Sequence, residues 1–324
     1  MNLGIDRTRR LAAIVVGRAG MDLYPLPDGV ETEAAEAFAA EVGGSAGNIA
    51  VAIARQGHPV ALLGALSDDA VGRFVRRHME RFDVDMSHCR SVSGIYRTSL
   101  AVCETRPIDS ETVFYRNGAA DLQLHRSDFD ASFIASASFL LVSGTALAAE
   151  PSRAAALEAL SLARSSGTFS MLDIDYRPVS WSSASETMRI VGDAAGRCNV
   201  VIGNDEEFAV ISGGGSDPLE AARRFVRQGC RFVIFKKSSA GSTTITAEGA
   251  FDTGIFAVDA KKPFGSGDAF LGNLVVALRS GTSLEKAVTR AAAAAAYVVA
   301  RRGCAFAMPT AAELDTFIQS YPLK

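Results

Sequence analysis

The segment Phe264-Gly265-Ser266-Gly267-Asp268-Ala269-Phe270 has the composition of a helix entrance able to hold an anion. Glycines ahead of a helix let the backbone curl until several N–H groups point at one spot. The first-turn N–H groups and the helix dipole add to the positive potential there. Asp268, at the same place, can take a proton from an attacking hydroxyl while the anion site holds the transferred group. Phosphoryl transfer asks for little beyond positioning, charge stabilisation and a proton acceptor. The same letters also describe a glycine turn and an N-capped helix, and on this segment alone both readings stand. A second small-residue helix start, Gly43-Gly44-Ser45-Ala46-Gly47-Asn48, lets a ligand approach the backbone, and Asn48 offers a donor and an acceptor for hydroxyls. Tight helix packing would use the same residues. No G-x-x-x-x-G-K-[ST] segment occurs, and Phe270 stands where a dinucleotide fingerprint needs its third glycine, so P-loop and dinucleotide readings fail.

These segments must be held by a scaffold whose pattern is legible. Apolar β-branched runs at 14–16, 60–64, 139–142, 168–174, 200–202 and 232–235 alternate with helical patterns at 45–56, 71–82, 152–165 and 218–228. Helix-spaced segments between apolar strands imply βαβ crossovers and a mostly parallel sheet covered on both faces. The end is helical: Asp268 to Ser280 stops at Gly281, and Ser283 caps a second helix ending near Gly303. Two stretches break the pattern. Residues 21–42 are turn-rich and then acidic, and Thr98 to Tyr115 alternates like antiparallel strands around a polar turn at Pro107 to Glu111. Both are expected to form an inserted β-lid, with boundaries near 21–42 and 95–117, on one domain spanning residues 1–324.

Composition limits the function classes. The 324 residues are 48% hydrophobic and 21% charged with a net charge of −3, the balance of a globular enzyme with no electrostatic reason to bind nucleic acid. Five scattered cysteines form no C-x-x-C pair and four histidines form no helical pair, which argues against a disulfide framework or zinc ribbon and for a reducing, cytoplasmic setting. Thr8-Arg9-Arg10 before an apolar run superficially resembles a twin-arginine signal, but the run is short and Arg18 interrupts the stretch after it, so a first buried strand explains it better. Ala291 to Ala300 is too short to cross a bilayer, and no membrane partner is expected.

Taken together, a GGSAGN helix start near the N-terminus and a GSGD helix start near the C-terminus resemble the PfkB (ribokinase-like) carbohydrate kinase family. The resemblance runs from about residue 12 to 318, including the ending Met308-Pro309-Thr310. It implies a three-layer α/β/α fold with a small β-sheet lid and phosphorylation of a sugar hydroxyl by ATP. It makes Asp268 the base, with Gly265, Ser266 and Gly267 as the anion hole. Asn204-Asp205-Glu206-Glu207 matches the family's N-x-x-E motif, so Asn204 and Glu207 would help hold magnesium and phosphate, largely through water. On the nucleotide side it implies Lys236, Lys237 and Gly241, and a monovalent cation such as K+ as a further cofactor.

Within the family, three segments resemble a branch that phosphorylates 5-dehydro-2-deoxygluconate in myo-inositol catabolism. They are Gly17 to Pro25, Phe114-Tyr115-Arg116, and Asp173 to Pro178 followed by Trp181. Asp22 would bind hydroxyls, while Arg116 and Arg177 would pair with a carboxylate bidentately. Three positions depart from the pattern: Gly118 replaces an Asn, Ser238 a nucleotide-side glycine, and Ser266 an alanine. Other acceptors fit the same fold, among them fructose, ribose, 2-keto-3-deoxygluconate and nucleosides, and so does a non-catalytic sugar or nucleotide sensor. Free lid edges would suit a homodimer.

Overall fold

Leu11–Val16 (β1) is buried at every residue, and its side chains divide between two cores: Ala13 and Val15 face one, Ile14 and Val16 the other. A strand buried on both faces lies inside a layered sheet. The computed structural model describes residues 2–106, 109–214, 217–261 and 264–324. Fourteen strands are found among them. Besides β1 they are Gly20–Leu26 (β2), Ala37–Gly43 (β3), Val60–Ser67 (β4), Val84–Asp85 (β5), Cys89–Val92 (β6), Leu100–Cys103 (β7), Thr112–Tyr115 (β8), Ala137–Ser143 (β9), Phe169–Asp173 (β10), Val200–Asn204 (β11), Phe232–Lys236 (β12), Ser242–Thr246 (β13) and Gly249–Thr253 (β14). The main sheet is ordered β14-β13-β12-β11-β10-β9-β1-β4-β5, with β6 pairing beside β4. Pairing is parallel from β12 across to β5 and antiparallel only at β12-β13-β14.

Helices cover both faces. Ser45–Arg55, Ala70–Arg81, Ser266–Arg279, Leu284–Val299 and Ala311–Ser320 pack into one core, and helices from Ala131–Ala135 through Pro218–Arg227 into the other. Small residues at helical spacing set the contact: Ala155, Ala156, Ala159, Leu160 and Ala163 form the buried stripe of Ser152–Ser166, and Gly167 closes that helix at φ +69°. None of the helices of the described residues is long and apolar enough to cross a membrane, and all five cysteines are buried and free. Two helix ends differ from expectation. The Ser266–Arg279 helix starts two residues before Asp268, because Gly265 takes the cap position at φ +85°. Ser283 does sit at a cap position, but its side chain makes no capping hydrogen bond.

The stretches that break the α/β pattern form a separate four-stranded sheet, ordered β3-β2-β7-β8. β2-β3 and β7-β8 are antiparallel, but β2-β7, which joins the two inserted pieces, is parallel. Pro107 and Ile108 of the expected turn lie outside the described residues. β1 is the switch point of the main sheet: the chain next adds β4 on one side, then crosses to β9 and proceeds outward on the other. Open α/β sheets bind ligands at the carboxyl ends of the strands beside such a point.

Candidate active site

A cavity of about 450 Å³ lies at this place. Its walls come from strand ends and helix starts: Arg18 after β1, Thr145 after β9, Asp175 and Arg177 after β10, Ser45 and Asn48 on one helix, Gly265 and Asp268 on another. The small sheet supplies the remaining side. Register aligns Asp22, Ala101 and Phe114 in one row and Cys103 with Thr112 in another, so one face of the pleat points into the cavity.

Asp268 is half-buried on the first turn of its helix, and Asn48 Nδ2 donates to its Oδ2 at 2.8 Å. The two small-residue helix starts therefore meet side chain to side chain. Burial pushes the Asp268 carboxyl up to about 6, and the charge of Asp175 adds to the rise; Asn48, Arg177 and Lys236 act the other way. Asp175 is held at φ +39° and is buried. Burial alone would raise its carboxyl, yet Arg177 at 3.0 Å and the hydroxyls of Ser45 and Ser143 together hold it below the usual carboxylate range. Asp173, deeper on β10, goes the opposite way: burial keeps its carboxyl well above the ordinary value although Lys236 Nζ is 3.9 Å away. Two neighbouring carboxyls thus differ because Asp175 has two hydroxyls and the charges of Arg177 and Arg18, whereas Asp173 has one distant ammonium and three neighbouring carboxyls that raise it further.

The glycines are explained by contact. A Cβ on Gly43 would stand 1.9 Å from Asp22 Oδ2, so this glycine makes room for that carboxylate. Gly44 sits at φ +88°, and a side chain there would strike the Arg18 carbonyl at 2.7 Å. Lys236 Nζ points toward Gly267, lying 3.4 Å from where a Cβ would be.

Of the residues expected from sequence, Asp22, Gly44, Asn48, Arg116, Arg177, Gly265 and Asp268 line the cavity. Gly43, Ser266 and Gly267 adjoin lining residues in the chain without lining the cavity themselves, and Lys236 reaches toward Gly267. Arg116 is already engaged: it forms an ion pair with Asp121 and donates to Ser180 Oγ at 2.9 Å and to the Thr145 carbonyl at 3.0 Å. Asn204 and Glu207 form a reciprocal capping box at the start of Asp205–Ile211. The Glu207 oxygens accept from Asn204 N–H at 2.8 Å and Tyr176 N–H at 3.2 Å. Lys237 turns to Asp252 at 2.9 Å, and Gly241 at φ +80° packs against the Thr253 carbonyl. Arg18, Phe114 and Asp175, which lie in the three branch-like segments without having been singled out, also line the cavity, as do Asn117 and Thr145, which no sequence signal marked.

Comparison with known proteins gives the family of the chain. A family model described as pfkB family carbohydrate kinase matches residues 11–311. A 5-dehydro-2-deoxygluconokinase of Photobacterium profundum is 41% identical over 323 residues, covering 98% of each chain. Aminoimidazole riboside kinase from Salmonella enterica, solved with aminoimidazole riboside and an ATP analogue, is 25% identical with a TM-score of 0.79, covering 94% of this chain and 99% of that one. A fructokinase double mutant from Vibrio cholerae O395, in its fructose-, ADP- and potassium-bound form, is 27% identical with a TM-score of 0.84, over 96% of this chain and 99% of that one. The chain belongs to the pfkB family of carbohydrate kinases and is a phosphotransferase acting on a sugar hydroxyl.

Proposed function

We propose that the chain phosphorylates a hydroxyl of a sugar acid, 5-dehydro-2-deoxygluconate, with ATP as donor and Asp268 as the base. The observation that carries this reading is Asp268 itself: a carboxyl raised to about 6, oriented by Asn48, at the mouth of a cavity lined by three arginines. Asp268 accepts the proton of the attacking hydroxyl, for which a pKa near the working pH is effective. Free N–H groups of the first turn, at Ser266, Gly267 and Asp268, stabilise the negative charge that develops, and Lys236 adds to it. Asp22 orients the sugar from the small sheet. The nucleotide rests on the side of Lys236, Lys237 and Gly241.

A divalent cation is supported only in a hydrated form. Among the described residues no group of three His, Cys, Asp or Glu side chains could hold a metal ion, and the Glu207 oxygens already accept backbone N–H bonds. Magnesium with a shell of water and phosphate fits these residues, with Asn204 and Glu207 holding its waters. Bound MgATP supplies the phosphoryl group and neutralises its charge. Potassium in the similar fructokinase makes a monovalent cation a reasonable further requirement. The small sheet would act as the lid, and its edge strands β3 and β8, which carry exposed Phe38 and Tyr115, would pair with a second copy; a monomer mass by light scattering would remove that last reading.

The test is ADP release across sugar acids and neutral sugars. Turnover of 5-dehydro-2-deoxygluconate should exceed that of fructose and ribose by about 10² or more in kcat/KM. Equal turnover of neutral sugars would move the acceptor to another class, and sugar binding without ADP release would make the chain a sensor.

A further inference from the structure

The three arginines of the cavity differ in what already occupies them. Arg116 is ion-paired with Asp121, and Arg177 with Asp175. Arg18 is different: its Nη1 donates to the neutral Ser99 Oγ at 3.1 Å, and among the described residues it makes no ion pair with a carboxylate. Its guanidinium has a fixed seat nonetheless. The Cζ lies 5.6 Å from the centroid of the Phe114 ring. Gly20 clears the space, since a Cβ there would lie 3.1 Å from Arg18 Nη1 and 2.7 Å from the Ser99 carbonyl. The seat thus joins the end of β1 to the small sheet at β2, Ser99 and β8.

We propose that Arg18 binds the carboxylate of the acceptor and sets the preference for a sugar acid over a neutral sugar; this rests on the sugar-acid reading above. A carboxylate entering the cavity meets Asp22, Asp175 and Asp268 and needs a cation to offset them. Drawing on Arg116 would leave buried Asp121 without its partner, and drawing on Arg177 would loosen buried Asp175, and uncompensated buried charges are strongly destabilising. Arg18 can accept the new anion without breaking any ion pair, since its charge helps lower the Asp175 carboxyl only from outside ion-pair distance. One of its five N–H donors goes to Ser99, and the planar fork can offer two others to a carboxylate. Ser99 and Phe114 hold the guanidinium in place, so little freedom is lost on binding.

Steady-state kinetics of wild type, Arg18→Met and Arg18→Lys on 5-dehydro-2-deoxygluconate and on its methyl ester test this. Arg18→Met should raise KM for the acid by about ten- to a hundred-fold, the range for losing charge-assisted hydrogen bonds. It should leave kcat, KM for ATP and KM for the ester within about threefold, and Arg18→Lys should recover part of the acid's KM. An acid KM within about twofold of wild type in Arg18→Met, or an equal rise for acid and ester, overturns the assignment; so does an acid-specific loss found in Arg177→Met alone. If Arg18→Met does not fold by thermal denaturation, Arg18→Lys carries the test, because losing the fork while keeping the charge should still raise the acid's KM alone. Wild type that ignores the acid, or treats acid and ester alike, refutes the sugar-acid reading itself before any variant is compared.

Discussion

As the proposed base, Asp268 would combine two demands that oppose each other. A base needs a carboxylate that still has affinity for a proton, and burial beside Asp175 provides this by raising its pKa to about 6 from 3.8. The group must be ionised to act, so kcat/KM should be flat above neutrality and fall about tenfold per unit below pH 6. A profile whose acid limb lies near 4 would show that the carboxyl is not perturbed in the working enzyme. The same shift bears on stability. Because the folded pKa lies above the unfolded one, the stabilising contribution is present below 3.8 and is lost as pH rises through about 6. At pH 7.5 the charge is therefore a burden, about 1–2 kcal/mol after discounting for its contact with solvent in the cavity. Asp268→Asn keeps an oxygen to accept the Asn48 hydrogen bond and removes that charge. We expect turnover to drop by about 10² or more while the urea midpoint rises. Loss of stability together with loss of activity would mean that Asp268 supports the fold instead of opposing it.

Elements position these side chains through contacts that a single added methyl group can break. At Gly43, on the last residue of β3, a Cβ would lie inside the Asp22 carboxylate, 1.9 Å from Oδ2. Gly43→Ala should displace Asp22 and raise the sugar KM by about tenfold or more with KM for ATP unchanged. Gly192→Ala is the control: its Cβ meets nothing within 4 Å inside a helix, so kinetics should not change and stability should rise slightly, by about 0.5–1 kcal/mol. An equal effect of both substitutions would discredit the contact argument. Much of this scaffold is legible in the sequence. Strands such as β11 and β12 announce themselves by apolar β-branched runs, and helices by small-residue stripes, because period and burial are local properties. The GGSAGN and GSGD helix starts are legible for the same reason. The illegible part depends on tertiary pairing. The parallel β2-β7 joint unites segments far apart in sequence. The seat of the Arg18 guanidinium forms only when β8 brings Phe114 beside it. Asn204 and Glu207 illustrate a different limit, since one motif serves a helix cap that is visible in the fold and a role toward phosphate that only a loaded enzyme can report. Ser238 departs from the family's glycine, and its φ of +50° gives the departure a physical meaning: the turn asks for a left-handed backbone at this position.

At the scale of the molecule, the proposed lid role of the small sheet would be what separates a kinase from an ATP hydrolase. Its strands leave the main body in two places, between β1 and the Ser45–Arg55 helix and between β6 and β9, and return to roof one cavity. Phe114, Ala101 and Asp22 lie in one row of that roof, so a sugar in the cavity would touch three strands at once and hold them together. Sugar binding should therefore order the sheet and exclude water before the base and anion site act on a hydroxyl. Two measurements check this. Phosphate release from ATP without sugar should be slower than sugar phosphorylation by about 10² or more, since water alone cannot close the roof. Amide hydrogen exchange in β7 and β8 should slow when sugar is added without nucleotide, while β9 and β10, buried in the main sheet, should not change. Hydrolysis within about tenfold of the sugar reaction, with exchange in β7 and β8 unaffected, would show a preformed site in which the small sheet binds sugar without gating water.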